Sequence, residues 1–475
     1  MQTDLTYYKK KWLVMASVSF GSFMVNFDIS IVNTTLPTIA KALDADFAIA
    51  QWVILALIFP VASLAISIGR IGDIIGKKPL YLTGFFLFSA GSFLCGMTHT
   101  ISWLLGFRII QGIGAAMTAA LGIAILTEAF PEKERGKALG ILVAVISAST
   151  IAGPISGGIL TDFFSWRFIF FTDFAIGTTG IFMVIKFITN TEPPEKTTFD
   201  FTGASLIFIS LLSLLLAMTF GQKTGFGSPL VLLFFTGFSL SALLFVIVEF
   251  RTEAPIIDLK LFKNKFLKVG IINALTIFIG MGGFSILIPF YLAKVLLLSP
   301  LKIGFLMGLG SIAMAIASII SGRLSDRFGP RSITIVSLFI LMFGYYTSSG
   351  LDHEIGITAY ILRTLPLGIG FGVFMASNFT SITGDIPVRQ RGTASALIPV
   401  VNTTGHMTGT AIIGSIWAIL VSHYASDKVY TKIIEAPAIA QASALQDILL
   451  IMMAISGLLL ILNICFSRTR ERHKA

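Results

Sequence analysis

Long apolar stretches alternate with short polar ones from one end of the chain to the other. Fourteen apolar runs stand out, at roughly 12–36, 51–69, 80–98, 103–127, 138–160, 168–188, 203–220, 230–249, 269–291, 303–322, 332–350, 357–383, 393–422 and 447–466. Each can cross a hydrocarbon core about 30 Å thick as an α-helix. They are continuous, unlike the alternating strands of about ten residues that build a membrane β-barrel. The pattern predicts an all-α polytopic membrane protein with 14 transmembrane helices.

Composition supports this. Of the 475 residues 55% are hydrophobic and 12% charged, with a mean hydropathy of +0.89, whereas a soluble domain carries about 25% charged residues. The 42 Phe and 44 Gly suit lipid-facing surface and close helix packing. Cys95 and Cys465 lie inside apolar runs and read as small core residues, not as a disulfide or metal pair. Lys9–Lys11 precede a run too long for a signal-peptide core, and no A-x-A site follows, so no cleavable leader is expected.

The net charge of +10 changes the picture once it is distributed over the loops. With the N-terminus inside, 25 of the 34 Lys and Arg fall on the cytoplasmic side, 7 fall outside, and Arg108 and Arg363 lie within the membrane. This positive-inside asymmetry places both termini in the cytoplasm and requires an even number of spans. The charge therefore calls for no nucleic-acid partner.

The chain also repeats itself. GRIGDIIGKK at 69–78 returns as GRLSDRFGPR at 322–331. Pro131, Arg135, Gly136 and Ala138 return as Pro387, Arg391, Gly392 and Ala394; Arg108 with Gly112 and Gly114 returns as Arg363 with Gly368 and Gly370. Three matches at nearly one offset imply two homologous six-helix halves. The offset exceeds six helices by about two, which leaves a central helix pair between the halves. The expected division is residues 1–190, 191–268 (linkers and the inserted pair) and 269–475.

One acid interrupts the first apolar run. Asp28 has no charged neighbour in sequence for a dozen residues on either side, and a carboxylate inside a bilayer costs about 2.5–3.5 kcal/mol on insertion scales. It either faces a water-filled path or, if the segment is shorter, lies at the outer surface; the apolar run that resumes at Ile29 before Pro37 favours the first. At 1.5 Å per residue Asp28 is roughly 13 Å inside Pro37, and Arg108 roughly 8 Å into the fourth run. Opposite charges at similar depth can pair, and a buried pair broken from one side costs about 3–5 kcal/mol. Protonating Asp28 would weaken the pair and change how helices 1 and 4 pack. Snorkelling of Arg108 to the outer surface is the competing reading.

The motifs stand in a definite order. They are Asp28-x-x-x-Val32-Asn33-x-x-Leu36-Pro37; Gly69-x-x-x-Asp73-x-x-Gly76-Lys77-Lys78; Arg108-x-x-Gln111-Gly112-x-Gly114; Gly153-Pro154-x-x-Gly157-Gly158; and Trp166-Arg167. On these the chain resembles the major facilitator superfamily, specifically its fourteen-helix drug:proton antiporter branch, over nearly its whole length. The resemblance implies proton coupling and substrate recognition at Asp28 and Arg108, with Asn33 and Gln111 in the same motifs. It implies a conformational switch in the loop after helix 2, through Gly69, Asp73, Lys77 and Glu128, and its repeat through Gly322, Asp326, Arg331 and Asp385. From its position, Asp73 is expected in a loop where it can cap a helix N-terminus. Ser149, Gly153, Pro154, Gly157 and Gly158 match the antiporter motif of exporters, with serine replacing the usual first glycine; Pro154 is expected to bend helix 5.

Three further residues are candidates. Asp173 stands where the family usually has asparagine, and is either a second membrane carboxylate or, as sixth helices usually face away from the cavity, a partner of Arg167 near the outer surface. His406 either meets substrate or packs as a neutral core side chain. Arg363 repeats Arg108. The chain shows no phosphate loop, metal ligands or nucleophile with its base, and Gly112-x-Gly114 lacks the strand of a dinucleotide site.

The resulting expectation is a secondary active transporter, not an enzyme, without cofactor or metal. It would work by alternating access about a midplane cavity, with inward protons driving lipophilic, often cationic, compounds out of the cell. Its partners would be the small lipophilic substrate and the lipid bilayer, with no obligate protein partner, in a bacterial plasma membrane. An exporter of one amphiphilic metabolite, lipid or siderophore is the second reading, and a non-transporting receptor or membrane-embedded enzyme the third.

Overall fold

The structure, a computed structural model, describes residues 10–189, 199–252, 255–257, 259–384, 388–425 and 433–474. Among these it is all helical, with fourteen long helices. They are α1 (Lys11–Ala42), α2 (Trp52–Ile75), α3 (Lys77–Gly96), α4 (Ile101–Ala129), α5 (Glu132–Phe163), α6 (Arg167–Phe187), α7 (Phe201–Thr224), α8 (Pro229–Arg251), α9 (Lys265–Phe290), α10 (Pro300–Phe328), α11 (Pro330–Ser348), α12 (Ile357–Gly384), α13 (Val388–Tyr424) and α14 (Ala438–Lys474). Thirteen are long and apolar enough to cross a bilayer. The other is α11, 19 residues long, which carries two tyrosines and several hydroxyls.

Several expected ends move outward. Pro37 does not stop α1, which runs on to Ala42; a helix inside a bundle tolerates proline because its neighbours satisfy the freed backbone group. Asp28 is therefore deeper in its helix than its distance from Pro37 suggests. Gly69, Arg70 and Asp73 are not in a loop but in the last turns of α2, which ends at Gly76. Asp73 caps no helix: Gly76 is the N-cap of α3, without a side-chain cap. Gly76 makes the break because it takes φ 98°, a region open to glycine. Its repeat, Gly329, takes φ 85° between α10 and α11, and ψ is 139° at both.

The chain divides into two compact units. The first comprises Met1–Ala45, Ile49–Ile257 and Ser299–Phe305; the second comprises Asp46–Ala48, Asp258–Leu298 and Leu306–Ala475. In the first, α1 packs along α5, α3 along α4 and α6, and α2 along α4. The pair α7–α8 joins this unit through α2, where Trp52 Nε1 donates to Thr219 Oγ1 at 2.8 Å and Phe59 lies 4.9 Å from Phe208. In the second unit α9 packs along α13, and α11 along α12 and α14, three of the first unit's four pairings shifted by eight helices.

The repeat extends to single backbone contacts. A Cβ on Gly112 would come within 2.7 Å of the Ala56 carbonyl, and one on Gly368 within 2.8 Å of the Gly310 carbonyl. One on Gly114 would strike the Phe88 backbone at 2.4 Å, and one on Gly370 the Leu341 side chain at 2.8 Å. Helices that touch backbone to backbone need small residues at the crossing. On the α5 face, added Cβ atoms at Gly153 and Gly157 would meet Ser30 and Ile31 of α1 at 2.5 and 2.9 Å. Helix α5 continues through Pro154. Cys95 is buried, but Cys465 is exposed near the end of α14 and is not a core residue.

Candidate functional site

The densest buried polar cluster described lies inside the first unit. Asp28 and Arg108 are both wholly buried. Arg108 Nη1 donates to both carboxylate oxygens of Asp28, at 2.7 and 2.8 Å, and its Nε donates to the Val53 carbonyl of α2 at 2.8 Å. Gln111, one turn beyond Arg108, accepts from Arg108 Nη1 at 2.8 Å. Its amide donates to Asp28 Oδ1 at 2.9 Å and to Ser92 Oγ at 2.8 Å. Four helices thus converge on one ion pair, and Arg108 does not snorkel. A Phe170 ring of α6 lies 5.7 Å from the guanidinium carbon, within cation–π range.

The helices dictate this arrangement. Arg108 and Gln111 are three residues apart and share a face of α4, and Gly112 and Gly114 let that helix approach α2 and α3 closely. On α3, Gly91 puts its backbone against Gln111, where an added Cβ would lie 2.8 Å from the Gln111 nitrogen. The carboxylate adjoins a guanidinium and an amide, not open water: Asp28 has no exposed surface.

Asp173 departs from the expected pairing with Arg167. Arg167 instead donates to the Thr98 carbonyl at 2.9 Å and stacks over Trp166 at 4.5 Å. Asp173 faces inward on α6 and is wholly buried, and neither carboxyl oxygen has a hydrogen-bond donor. Its electrostatic neighbours are Asp28 and Arg108. Sixth helices need not face away when, as here, glycines at 177 and 180 draw α6 against α3 and α1.

The remaining sequence candidates are distributed as follows. Asn33 lies in α1 beyond Asp28, buried, with its side-chain oxygen unsatisfied. Lys77 bridges two acids, Asp73 at 3.0 Å and Glu128 at the foot of α4. Gly69 has open space around its Cα, whereas a Cβ on Gly72 would strike Leu121 at 2.4 Å, so Gly72 is the close contact in that motif. Gly322 is likewise open; Asp326 is exposed and Arg331 half-buried at the same turn of the second unit. Asp385 lies outside the described residues. Ser149 is buried and donates back to the Ile146 carbonyl at 2.6 Å. Gly158 abuts the Pro300 carbonyl, 2.6 Å from an added Cβ.

Arg363 does not reproduce Arg108. It is half-buried, with Nη1 2.5 Å from where a Cβ on Gly350 would sit, and its carbonyl accepts from Thr347 and Ser348 at 2.7 and 3.0 Å. Helix α9, which pairs with α13 as α1 does with α5, contains no acid. His406 is half-buried, with Nε2 3.2 Å from Ser285 Oγ. Ser92 and Phe170 join the site unannounced; a hydroxyl and a ring inside apolar runs give no signal of the direction they face.

Residues 18–410 match the sequence profile of the Major Facilitator Superfamily. The chain is 32% identical over 425 residues to riboflavin transporter RibZ of Clostridioides difficile, covering 89% of this chain and 92% of that one. It is 29% identical over 412 residues to multidrug resistance protein Stp of Mycobacterium tuberculosis, covering 86% of this chain and 76% of that one. A crystal structure of the peptide transporter POT in complex with sulfate superposes with a TM-score of 0.70 at 13% identity, over 96% of this chain and 94% of that one.

Proposed function

The chain belongs to the Major Facilitator Superfamily, and we propose that within it this multi-pass transporter exports lipophilic, chiefly cationic, compounds in exchange for protons by alternating access. The observation that carries the reading is the buried Asp28–Arg108–Gln111 cluster. It offers an acid whose charge is balanced inside the protein, so that adding or removing one proton bears on the packing of α1 against α4. Multidrug resistance relatives support the substrate class. The excess of Lys and Arg on one set of loops supports cytoplasmic termini in a bacterial plasma membrane.

A second reading has its own support. The relative named as a riboflavin transporter favours a single planar amphiphile as substrate. Resistance of cells lacking their own efflux pumps separates the two. Against a panel of unrelated lipophilic cations, broad protection supports the first reading, and protection or transport confined to flavin-like compounds supports the second. In the same cells Asp28→Asn is expected to cut resistance by about tenfold or more at normal protein abundance, since the coupling proton loses its acceptor. Full resistance in that variant contradicts the proton role.

A further inference from the structure

The Asp28–Arg108 pair is electrically complete, yet a second buried acid stands beside it. Helix α6 runs antiparallel to α3: Phe171 lies against Gly96, Gly177 against Ser89, and Gly180 against Phe85. Gly177 also touches Met24 of α1, with 3.3 Å from an added Cβ to the sulfur. Asp173 is one turn before Gly177, and Asp28 one turn after Met24, so the two acids meet on the facing sides of α6 and α1. Phe170, one turn before Asp173, lies over the Arg108 guanidinium. The charged and titratable groups around Asp173 are Asp28 from α1, Arg108 from α4 and the Cys95 thiol from α3. Helix α5 presents no charge between Lys137 and Asp162.

The donors are shared unequally. Asp28 receives both N–H donors in reach, from Arg108 and Gln111; Asp173 receives none, although it is wholly buried. Asp28 is the electrostatic neighbour of Asp173 across the α1–α6 contact. Two carboxylates cannot bond; a carboxylic acid and a carboxylate can. With one guanidinium and two ionised acids the sealed site would hold a bare negative charge, and such dyads instead retain one proton between them.

We propose that Asp28 and Asp173 form a carboxyl dyad that holds one proton beside Arg108, and that this dyad exchanges its proton for one monovalent cation. The proposal rests on the export reading above. The proton leaves as H⁺ when a cation enters, both carboxylates are then ionised, and the site's net charge with substrate bound is unchanged. Arg108 stays paired in both conditions. The dyad thereby supplies a proton to release when the cation enters, which Asp28 ionised against Arg108 alone lacks.

Infrared difference spectra of the purified full-length protein at neutral pH test this, comparing wild type, Asp173→Asn and Asp28→Asn. A protonated-carboxyl stretch present in wild type is expected to vanish in both variants. In Asp173→Asn, Asp28 stays ionised against Arg108; in Asp28→Asn, Asp173 becomes the counter-ion and ionises. Wild type without the band overturns the dyad, as does a band that survives either substitution. Should Asp173→Asn fail to accumulate, Asp173→Glu keeps the acid and is expected to retain the band at a shifted frequency; its loss overturns the dyad. Tetraphenylphosphonium added to wild type is expected to remove the band, and a band insensitive to saturating tetraphenylphosphonium overturns the exchange. If the bands behave as expected but proteoliposomes show no proton-driven efflux of the same cation, the dyad stands and the export reading fails.

Discussion

Replacing Asp28 by asparagine deletes a charge, but on the dyad proposal Arg108 keeps a counter-charge in Asp173, its electrostatic neighbour. The single variants Asp28→Asn and Asp173→Asn are therefore expected to lose little thermal stability in detergent. The double variant leaves the guanidinium unpaired, at a cost of about 3–5 kcal/mol beyond the sum of the singles. Unfolding curves for the four proteins check this, and additive losses contradict it. At this scale the Asp28–Arg108 pair was legible in the sequence, as opposite charges in two apolar runs at similar depth. The orientation of Asp173 was not. Position along a helix gives depth, but rotation about the axis is read from an apolar stripe, and a helix apolar on every side has none.

Helix boundaries and crossings follow from a few small residues. Gly76 and Gly329 end α2 and α10 in the same backbone conformation, and the repeated sequence around them announced that equivalence. Pro37, by contrast, looked like a stop and was none, since proline ends helices in water more reliably than within a bundle. The polar charges of 69–78 suggested a loop, yet all but the glycine break proved helical; interfacial Arg, Asp and Lys are compatible with a helix whose end projects beyond the hydrocarbon. Which glycines mark crossings was equally hidden, because the chain has many. Gly114→Ala drives a methyl group into the Phe88 and Gly84 backbone and is expected to destabilise by about 1–3 kcal/mol. Gly140→Ala, on an open stretch of α5, is expected to be neutral or to stabilise by up to about 1 kcal/mol. Equal melting temperatures for the two variants contradict the close α3–α4 approach.

Across the whole molecule, duplication sets the architecture and asymmetry sets the chemistry. The units share three helix pairings and matched glycine contacts, but among the described residues the buried acids lie in the first. Helix α9 carries no acid, and Arg363 sits over Gly350. The first unit therefore holds the ion-pair chemistry, while the second contributes His406 and its Ser285 partner on α9. Repeated motifs pointed to two halves, while the lack of an acid on α9 stood in the sequence without being singled out. The docking of α7–α8 on α2 was not, because it rests on single contacts such as Trp52 to Thr219 that no motif flags.

The central claim is that proton movement through Asp28 drives export, and proteoliposomes loaded with a pH-sensitive dye test it most directly. With an imposed pH gradient and a lipophilic cation added, wild type is expected to move protons in step with substrate, and Asp28→Asn to move neither above the rate of empty liposomes. Gradient-driven export by Asp28→Asn at the wild-type rate would contradict the account.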